Sequence, residues 1–314
     1  MLKKLPHDKK PGKKQFGAKQ YLRRYWALYA MLFLPLVHLI IFKYMPMFGN
    51  ILAFRRYRPG AGPWGTEWTL RYVSRLFTDT AFHSAFFNTL NISFWNILIN
   101  FPIPIIFAIL LNEVRNRFFK KTVQTVSYMP RFISTVVVIT ILNELLSPST
   151  GLLNIFLKNF GIEPIYFMND PKWFIPIYVF STAWQFTGWT AIIYLASITS
   201  ISPDMFEAAE IDGASRLQQI WYVTIPSIMP TVMVMLIMNV GRALTLGFEK
   251  ILLMYTPANS GVSDIIDTYV YRIGLESQNY SYATAIGLFT GVIGIILVTS
   301  SNALSKKLTG ESIY

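Results

Sequence analysis

Of the 314 residues, 53% are hydrophobic and 14% charged, too apolar a balance for a soluble domain of this size. The formal net charge is +12, but residues 1–24 carry nine Lys or Arg against Asp8 alone, which leaves only +4 elsewhere and excludes a basic folded face for nucleic acid. With no cysteine, disulfides, thiolate metal sites and cysteine nucleophiles are excluded too.

In chain order, residues 1–24 read as a basic, lipid-facing tail. No short apolar core with a small-residue cleavage site precedes Tyr25, so the first apolar run is expected to stay in the protein. Runs long enough to cross a bilayer follow at 25–42, 84–112, 173–203, 220–241 and 277–305. A sixth, 122–147, is interrupted by Arg131 and Glu144 but is strongly apolar from Phe132 to Leu142. The expected fold is an all-α membrane protein: six transmembrane helices over residues 25–305 and a cytoplasmic C-terminal tail over 306–314. Six spans put both termini on one side, and the positive-inside rule makes that side the cytoplasm. Sixteen basic residues then lie inside and nine outside, with Lys43, Arg131 and Arg242 in spans. Arg55, Arg56 and Arg58 oppose the rule, so this topology rests on the tail.

The outer segments 53–83, 148–172 and 250–276 are short and rich in turn residues, which argues against a large inserted domain. Pro102 and Pro104 should bend the second span, and Pro35, Pro130 and Pro176 perturb others by removing backbone donors. Gly287 and Gly291 form a G-x-x-x-G face suited to close helix contact.

Between the fourth and fifth apolar runs lies EAAEIDGASRLQQIWYVTIP, Glu207 to Pro226, within a loop over 200–226. Ser202 as N-cap, Pro203 at the first helical position and Asp204 in the first turn predict a short helix to about Ile211. Gly213 permits a sharp turn, and Leu217, Ile220 and Trp221 share one face of a second helix that Thr224 to Pro226 should close. Two short helices meeting at a glycine make a compact knob. Ala208 and Ala209 let a partner backbone approach, and Glu207 offers a carboxylate to a cation such as Arg. The bland alternative is an amphipathic hairpin at the membrane surface.

Polar groups inside the spans point to a translocation path. Arg131 follows Pro130 in the third span; Arg242 lies in the fifth, with Asn239 three residues earlier on nearly the same face. A guanidinium in hydrocarbon costs several kcal/mol, so each should face protein or water. Snorkelling or a bond to backbone carbonyls is the competing account. Trp184, Gln185, Gly188 and Trp189 suit sugars, whose ring faces stack and whose hydroxyls need hydrogen bonds; packing and interfacial anchoring would explain the tryptophans equally. Glu249, near a span end, completes the candidate path.

No G-x-x-x-x-G-K-[ST] motif occurs, so ATP is not bound here by a P-loop. Only His7, His38 and His83 are available as histidine ligands, at no metal-binding spacing. A proton- or sodium-coupled carrier would need more buried carboxylates than Glu144 and Glu249 provide. A membrane-embedded sugar transferase would need an acidic interfacial cluster, but four of the five interfacial acids, Glu113, Asp204, Glu207, Glu210 and Asp212, fall inside the knob.

The Glu-Ala-Ala segment with Gly213 and the Val-Thr-Ile-Pro ending resembles the cytoplasmic loop of ABC-importer permeases. LNEVRNRFFKKTVQTVSYMPRFIST, GFEKILLMYTP, IIDTYVYRIGLESQNYSYATAIGLF and the closing Glu-Ser-Ile-Tyr resemble, in order, the polysaccharide and complex-oligosaccharide branch of the maltose-type sugar permeases. Val223 and Ile225 depart mildly from the usual loop ending and stay apolar. The resemblance implies a type I ABC importer permease in the bacterial cytoplasmic membrane, with both termini cytoplasmic. Its implied partners are a second homologous permease subunit as heterodimer, two ATPase subunits, an extracytoplasmic solute-binding protein and an oligosaccharide. ATP and magnesium belong to the ATPase; this chain is expected to hold no cofactor and to catalyse no reaction. It also implies ATPase docking by Glu207, Ala208, Ala209, Asp212, Gly213 and Ala214. Two guanidiniums in the path would favour an acidic cargo such as uronic-acid oligosaccharides.

Overall fold

The computed structural model describes residues 18–60 and 66–309; the basic tail before Ala18 and the last five residues lie outside the described residues. The chain divides into two compact units between Ile51 and Leu52. The first holds α1 (Ala18–Arg24), α2 (Trp26–Leu39), a π turn over Ile40–Tyr44 and α3 (Met45–Met47). Helix therefore continues past the expected end at residue 42, and Trp26–Phe54 is long and apolar enough to span.

The second unit opens with an isolated antiparallel bridge, Arg55 to Trp68, and α4 (Arg71–Arg75). α5 (Thr80–Asn100) and α6 (Pro102–Glu113) form one apolar segment of 34 residues, interrupted at Phe101 where Pro102 lacks a donor. α7 (Arg117–Tyr128) and α8 (Thr135–Leu145) follow, then α9 (Leu152–Lys158) and the 29-residue α10 (Pro171–Thr199). After α11 (Pro203–Ile211) and α12 (Arg216–Gln219), a π turn over Ile220–Thr224 leads into α13 (Ile225–Gly241). α14 (Phe248–Met254), α15 (Ser260–Ser263), α16 (Ile266–Tyr271), a π turn and α17 (Tyr280–Thr309) complete the chain.

Among the described residues, four helical segments are long and apolar enough to span, and a fifth arises if α7 and α8 count together. α10 has spanning length but carries Ser181, Gln185 and several Thr, Tyr and Trp residues. It packs against α5, α6, α7 and α13, and this central position shelters its polar groups.

Three expectations are corrected. The third span is not one helix: α7 and α8 meet at 101°. Pro130 withholds a backbone donor and residues 129–132 tighten to a 3-10 turn, after which Ser134 caps α8 by accepting from the Val137 N–H at 3.4 Å. Thr224 to Pro226 does not close the helix before it. The π turn admits Pro226 within the first turn of α13, so helix runs unbroken from Arg216 to Gly241. Nor is the segment 250–276 a simple outer loop: Ile251, Ile265, Ile266 and Tyr269 in and beside α14 and α16 are fully buried. Ile251, Met254, Leu246 and Ile265 share a core with Ile92, Phe174, Tyr178 and Val179 of α5 and α10.

Gly287 and Gly291 have nothing within 4 Å of where a Cβ would stand, so their face is not closed by the described residues. Close approach occurs elsewhere: a Cβ on Gly188 would lie 2.3 Å from the Ser127 carbonyl oxygen, which fixes α10 against α7.

At the α5 N-terminus, Asp79 Oδ1 accepts from the backbone N–H of Ala81 (3.0 Å) and Phe82 (3.2 Å). Its Oδ2 accepts from Tyr282 (2.9 Å), Tyr269 (3.0 Å) and Arg75 Nε (3.1 Å). Burial pushes this carboxyl up, but the hydrogen bonds and the Arg75 charge outweigh it and hold it below its ordinary value.

Candidate functional site

Two assemblies stand out, a solvent-facing knob and the polar cleft between α5, α10 and the end of α13. In the knob, Ser202 takes the extended N-cap conformation before α11 but makes no side-chain cap bond, so the expected capping is positional only. After Ile211 the Gly213 N–H returns to Glu210 O (3.0 Å) and the Ala214 N–H to Ala209 O (2.9 Å). This closure holds Gly213 at φ +78°, a conformation that favours glycine. Ser215 then starts α12 through a capping box, its N–H donating to Gln218 Oε1 at 2.7 Å.

Glu207, Ala208, Asp212 and Gly213 are exposed, and Ala209 and Ala214 are half-buried. Nothing lies within 4 Å of where a Gly213 Cβ would stand, so its surface is open. The shared face expected for Leu217 and Trp221 is not spent inside this chain: they are 70% and 65% exposed, and Ile211 is 86%. Arg216 Nη1 pairs with Glu113 Oε2 at 3.3 Å, tying α12 to the end of α6. Glu207 and Glu210 rim a cleft of about 370 Å³ floored by Ile198, Ile201 and Phe206. The knob thus offers apolar surface, one open glycine and carboxylates to a partner.

The candidate path residues fall into two groups. Arg131 lies in the turn of the α7–α8 break, 5.1 Å from the centre of the Phe186 ring, and is exposed. Gln185 is buried and donates to Ile133 O at 3.2 Å, which ties down the broken backbone. Trp184, 51% exposed, and Gly188 line a cavity of about 520 Å³ with Ser127 and Pro130, and Trp189 packs edge-on against Phe132.

Arg242 is not within the fifth span: α13 ends at Gly241 and Arg242 is its C-cap, exposed in a tight turn. Asn239 donates to Met235 O at 2.8 Å. Arg242, Asn239, Thr245, Ser93, Asn96 and Tyr178 line a polar cleft of about 120 Å³. Arg131 lines neither cavity, and Glu249 is exposed in the first turn of α14 outside the cleft.

The sequence reading missed the far wall. Thr89, Ser93, Asn96 and Asn100 recur at helical spacing on α5, a polar stripe in an apolar segment. Thr89 Oγ1 accepts from the Ile266 N–H (3.0 Å), Ser93 donates to Ala243 O, and Asn100 donates to Asn96 Oδ1 (2.8 Å) and Val179 O (3.2 Å). The stripe thereby pins the irregular backbone after α13, leaving Asn96 and Arg242 facing the cleft. Lys250 was also missed; it is only 6% exposed, with Nζ donating to Thr182 Oγ1 at 2.9 Å. Among the described residues no group of three or more His, Asp or Glu could hold a metal ion.

Comparisons with known proteins agree with this geometry. Residues 100–310 match the family described as binding-protein-dependent transport system inner membrane component. A polygalacturonan/rhamnogalacturonan transport system permease protein of Bacillus subtilis (strain 168), YteP, is 43% identical over 98% of this chain and 95% of its own. The solved structure of a bacterial ABC transporter involved in the import of the acidic polysaccharide alginate superposes with a TM-score of 0.86 at 40% identity, over 93% of this chain and 99% of that one. A second structure, the bacterial alginate ABC transporter in complex with an alginate pentasaccharide-bound periplasmic protein, gives a TM-score of 0.87 at 39% identity, over 94% and 99%. The chain is an all-α, multi-pass inner-membrane permease, and it belongs to the family of binding-protein-dependent transport system inner membrane components.

Proposed function

We propose that this chain is one of two permease subunits of an ATP-driven importer that takes acidic oligosaccharides from an extracytoplasmic binding protein. The observation that carries the coupling is the knob: a helix–glycine–helix element whose apolar residues, open glycine and Glu207 are turned outward. Such a surface suits a partner ATPase, which binds the ATP and magnesium. Closure of the ATPase dimer would pull on α11 and α12, and the continuous helix from Arg216 to Gly241 would carry that displacement to Arg242 at the cleft. The acidic cargo is supported by Arg242, which lines the polar cleft, and by the relatives' named polysaccharides. Both chain ends lie in the cytoplasm, with residues 1–24 as a lipid-facing tail, 25–305 as the permease domain and 306–314 as a second tail.

The test has two arms. The complex should co-purify with an ATPase whose hydrolysis rises when the binding protein is loaded with uronic oligosaccharide; absence of stimulation by any saccharide sinks the importer reading. For topology, a single cysteine at exposed Ala258 should react with an impermeant thiol reagent in intact cells or spheroplasts, and one at Ser215 should not. Ala258 is chosen over its neighbour Asn259, which is fully buried and bonds Met168 O and Met254 O. The reverse labelling would invert the topology.

A further inference from the structure

We propose that Lys250 is a specificity-determining residue that engages carboxylates of the transported saccharide from behind the polar cleft that holds Arg242; the proposal rests on the importer reading above. Lys250 is 6% exposed, and its ammonium meets two neutral groups: the Thr182 hydroxyl at 2.9 Å and the Tyr178 ring, whose centre is 5.3 Å away. Among the described residues the ion pairs are Arg75–Asp79, Arg216–Glu113 and Arg272–Asp264, and none includes Lys250. An ammonium has three protons to donate, and a buried cation is costly without an anion beside it. Among the described residues the fold therefore buries this lysine inside the bundle with no carboxylate beside it.

Its placement says where an anion would come from. Tyr178 and Gly247 both line the polar cleft that holds Arg242. A Cβ at Gly247 would lie 3.9 Å from Lys250 Cβ and 3.9 Å from the Tyr178 hydroxyl. The Gly247 backbone and the Tyr178 side chain thus form the wall between the lysine and the cleft. The turn carrying Arg242, Thr245 and Gly247 leads directly into the helix carrying Lys250, so one shift of this turn would present a guanidinium and an ammonium together. Two cations in tandem match the repeating carboxylates of a uronic chain. A neutral sugar offers them hydroxyls alone, which make weaker contacts with a cation than carboxylates do. A lysine serving only to pack Thr182 and Tyr178 would make no such distinction.

The experiment uses the assembled transporter in vesicles with internal ATP, and two probes of equal length: trigalacturonate and its carboxyl-reduced neutral trimer. Lys250→Met should lower trigalacturonate uptake about tenfold and leave the neutral trimer within about twofold, while Lys250→Arg should keep most acidic uptake. Unchanged acidic uptake, or equal losses for both trimers, overturns the proposal. Failure of the unaltered transporter to import either trimer would instead count against the importer reading. Should Lys250→Met not assemble, the unaltered complex still decides: trigalacturonate should slow acylation of Lys250 by an amine reagent during ATP turnover, and an unchanged rate overturns the assignment.

Discussion

The knob and the cleft both use a helix end and a glycine turn, yet they spend their polar groups in opposite ways. In the knob, Glu207, Asp212 and Gly213 face outward, and the local backbone closes on itself through Gly213 and Ala214. Around the cleft, Ser93, Asn100 and Lys250 are turned inward, and each has a partner in a segment far away in the chain. A docking element must present its chemistry to another protein, so its fold is completed locally. A translocation path must place chemistry inside an apolar bundle, where each polar group needs a partner from elsewhere in the chain.

This contrast can be broken at its strongest point first. Glu207→Arg reverses the charge at this exposed position of the knob, and ATPase retention should fall about a hundredfold, the scale of breaking a close charge pair at an interface. Pull-down of the ATPase with each permease variant measures it, and full retention would end the docking assignment. Next in size is a pair of glycines. Gly188→Ala forces a Cβ to 2.3 Å from the Ser127 carbonyl oxygen and should destabilise the protein by about 3 kcal/mol, whereas Gly213→Ala meets open space and should cost about 1 kcal/mol for its positive φ. Thermal unfolding in detergent ranks the two; the reverse order would mean that the knob is the more tightly packed region.

That ranking also explains what could be read from the residues alone. The knob was legible because its instructions sit within twenty residues: Pro203, Asp204, Gly213 and the Leu217, Ile220, Trp221 spacing. The helical spans were legible from apolar runs, and the Phe101 interruption from Pro102. The cleft was not, since residues near 93, 178, 182 and 242–250 meet only after the bundle forms. Lys250 read as a residue of an outer loop, although Ile251 and Met254 beside it already mark a buried helical face. Arg131 read as a residue within a continuous helix because Pro130 alone does not say whether a helix bends or breaks. Here Ser134 starts a new helix four residues later, and the break follows.

Smaller effects sharpen the comparison within the cleft. Arg242→Gln should slow uptake of uronic oligosaccharide about tenfold, and Arg131→Gln less, since only Arg242 lines the polar cleft. Equal and unchanged rates would remove both from the path. Equal losses for neutral and acidic sugars would keep the path and discard the charge preference.

A separate test lies at Asp79, away from both regions. Asp79→Asn should cost about 2 kcal/mol by weakening a charge-assisted network. Because this carboxyl is held below its ordinary value, its contribution is complete at neutral pH and is lost only as pH falls through that depressed value. An acid-unfolding profile should therefore lose its lowest-pH step in the variant; an unchanged profile would remove Asp79 from the account of stability.

Asp79 also constrains how this protein can move. One carboxylate gathers donors from α4, α5, α16 and α17 at a single point, like a rivet through four plates. No one of these helices can swing away alone without breaking its bond to this half-buried carboxylate, so any gate at this end opens by displacing the riveted group as a unit. A hinge would cost least where the backbone is already interrupted, and the 101° corner beside Pro130 is such a place.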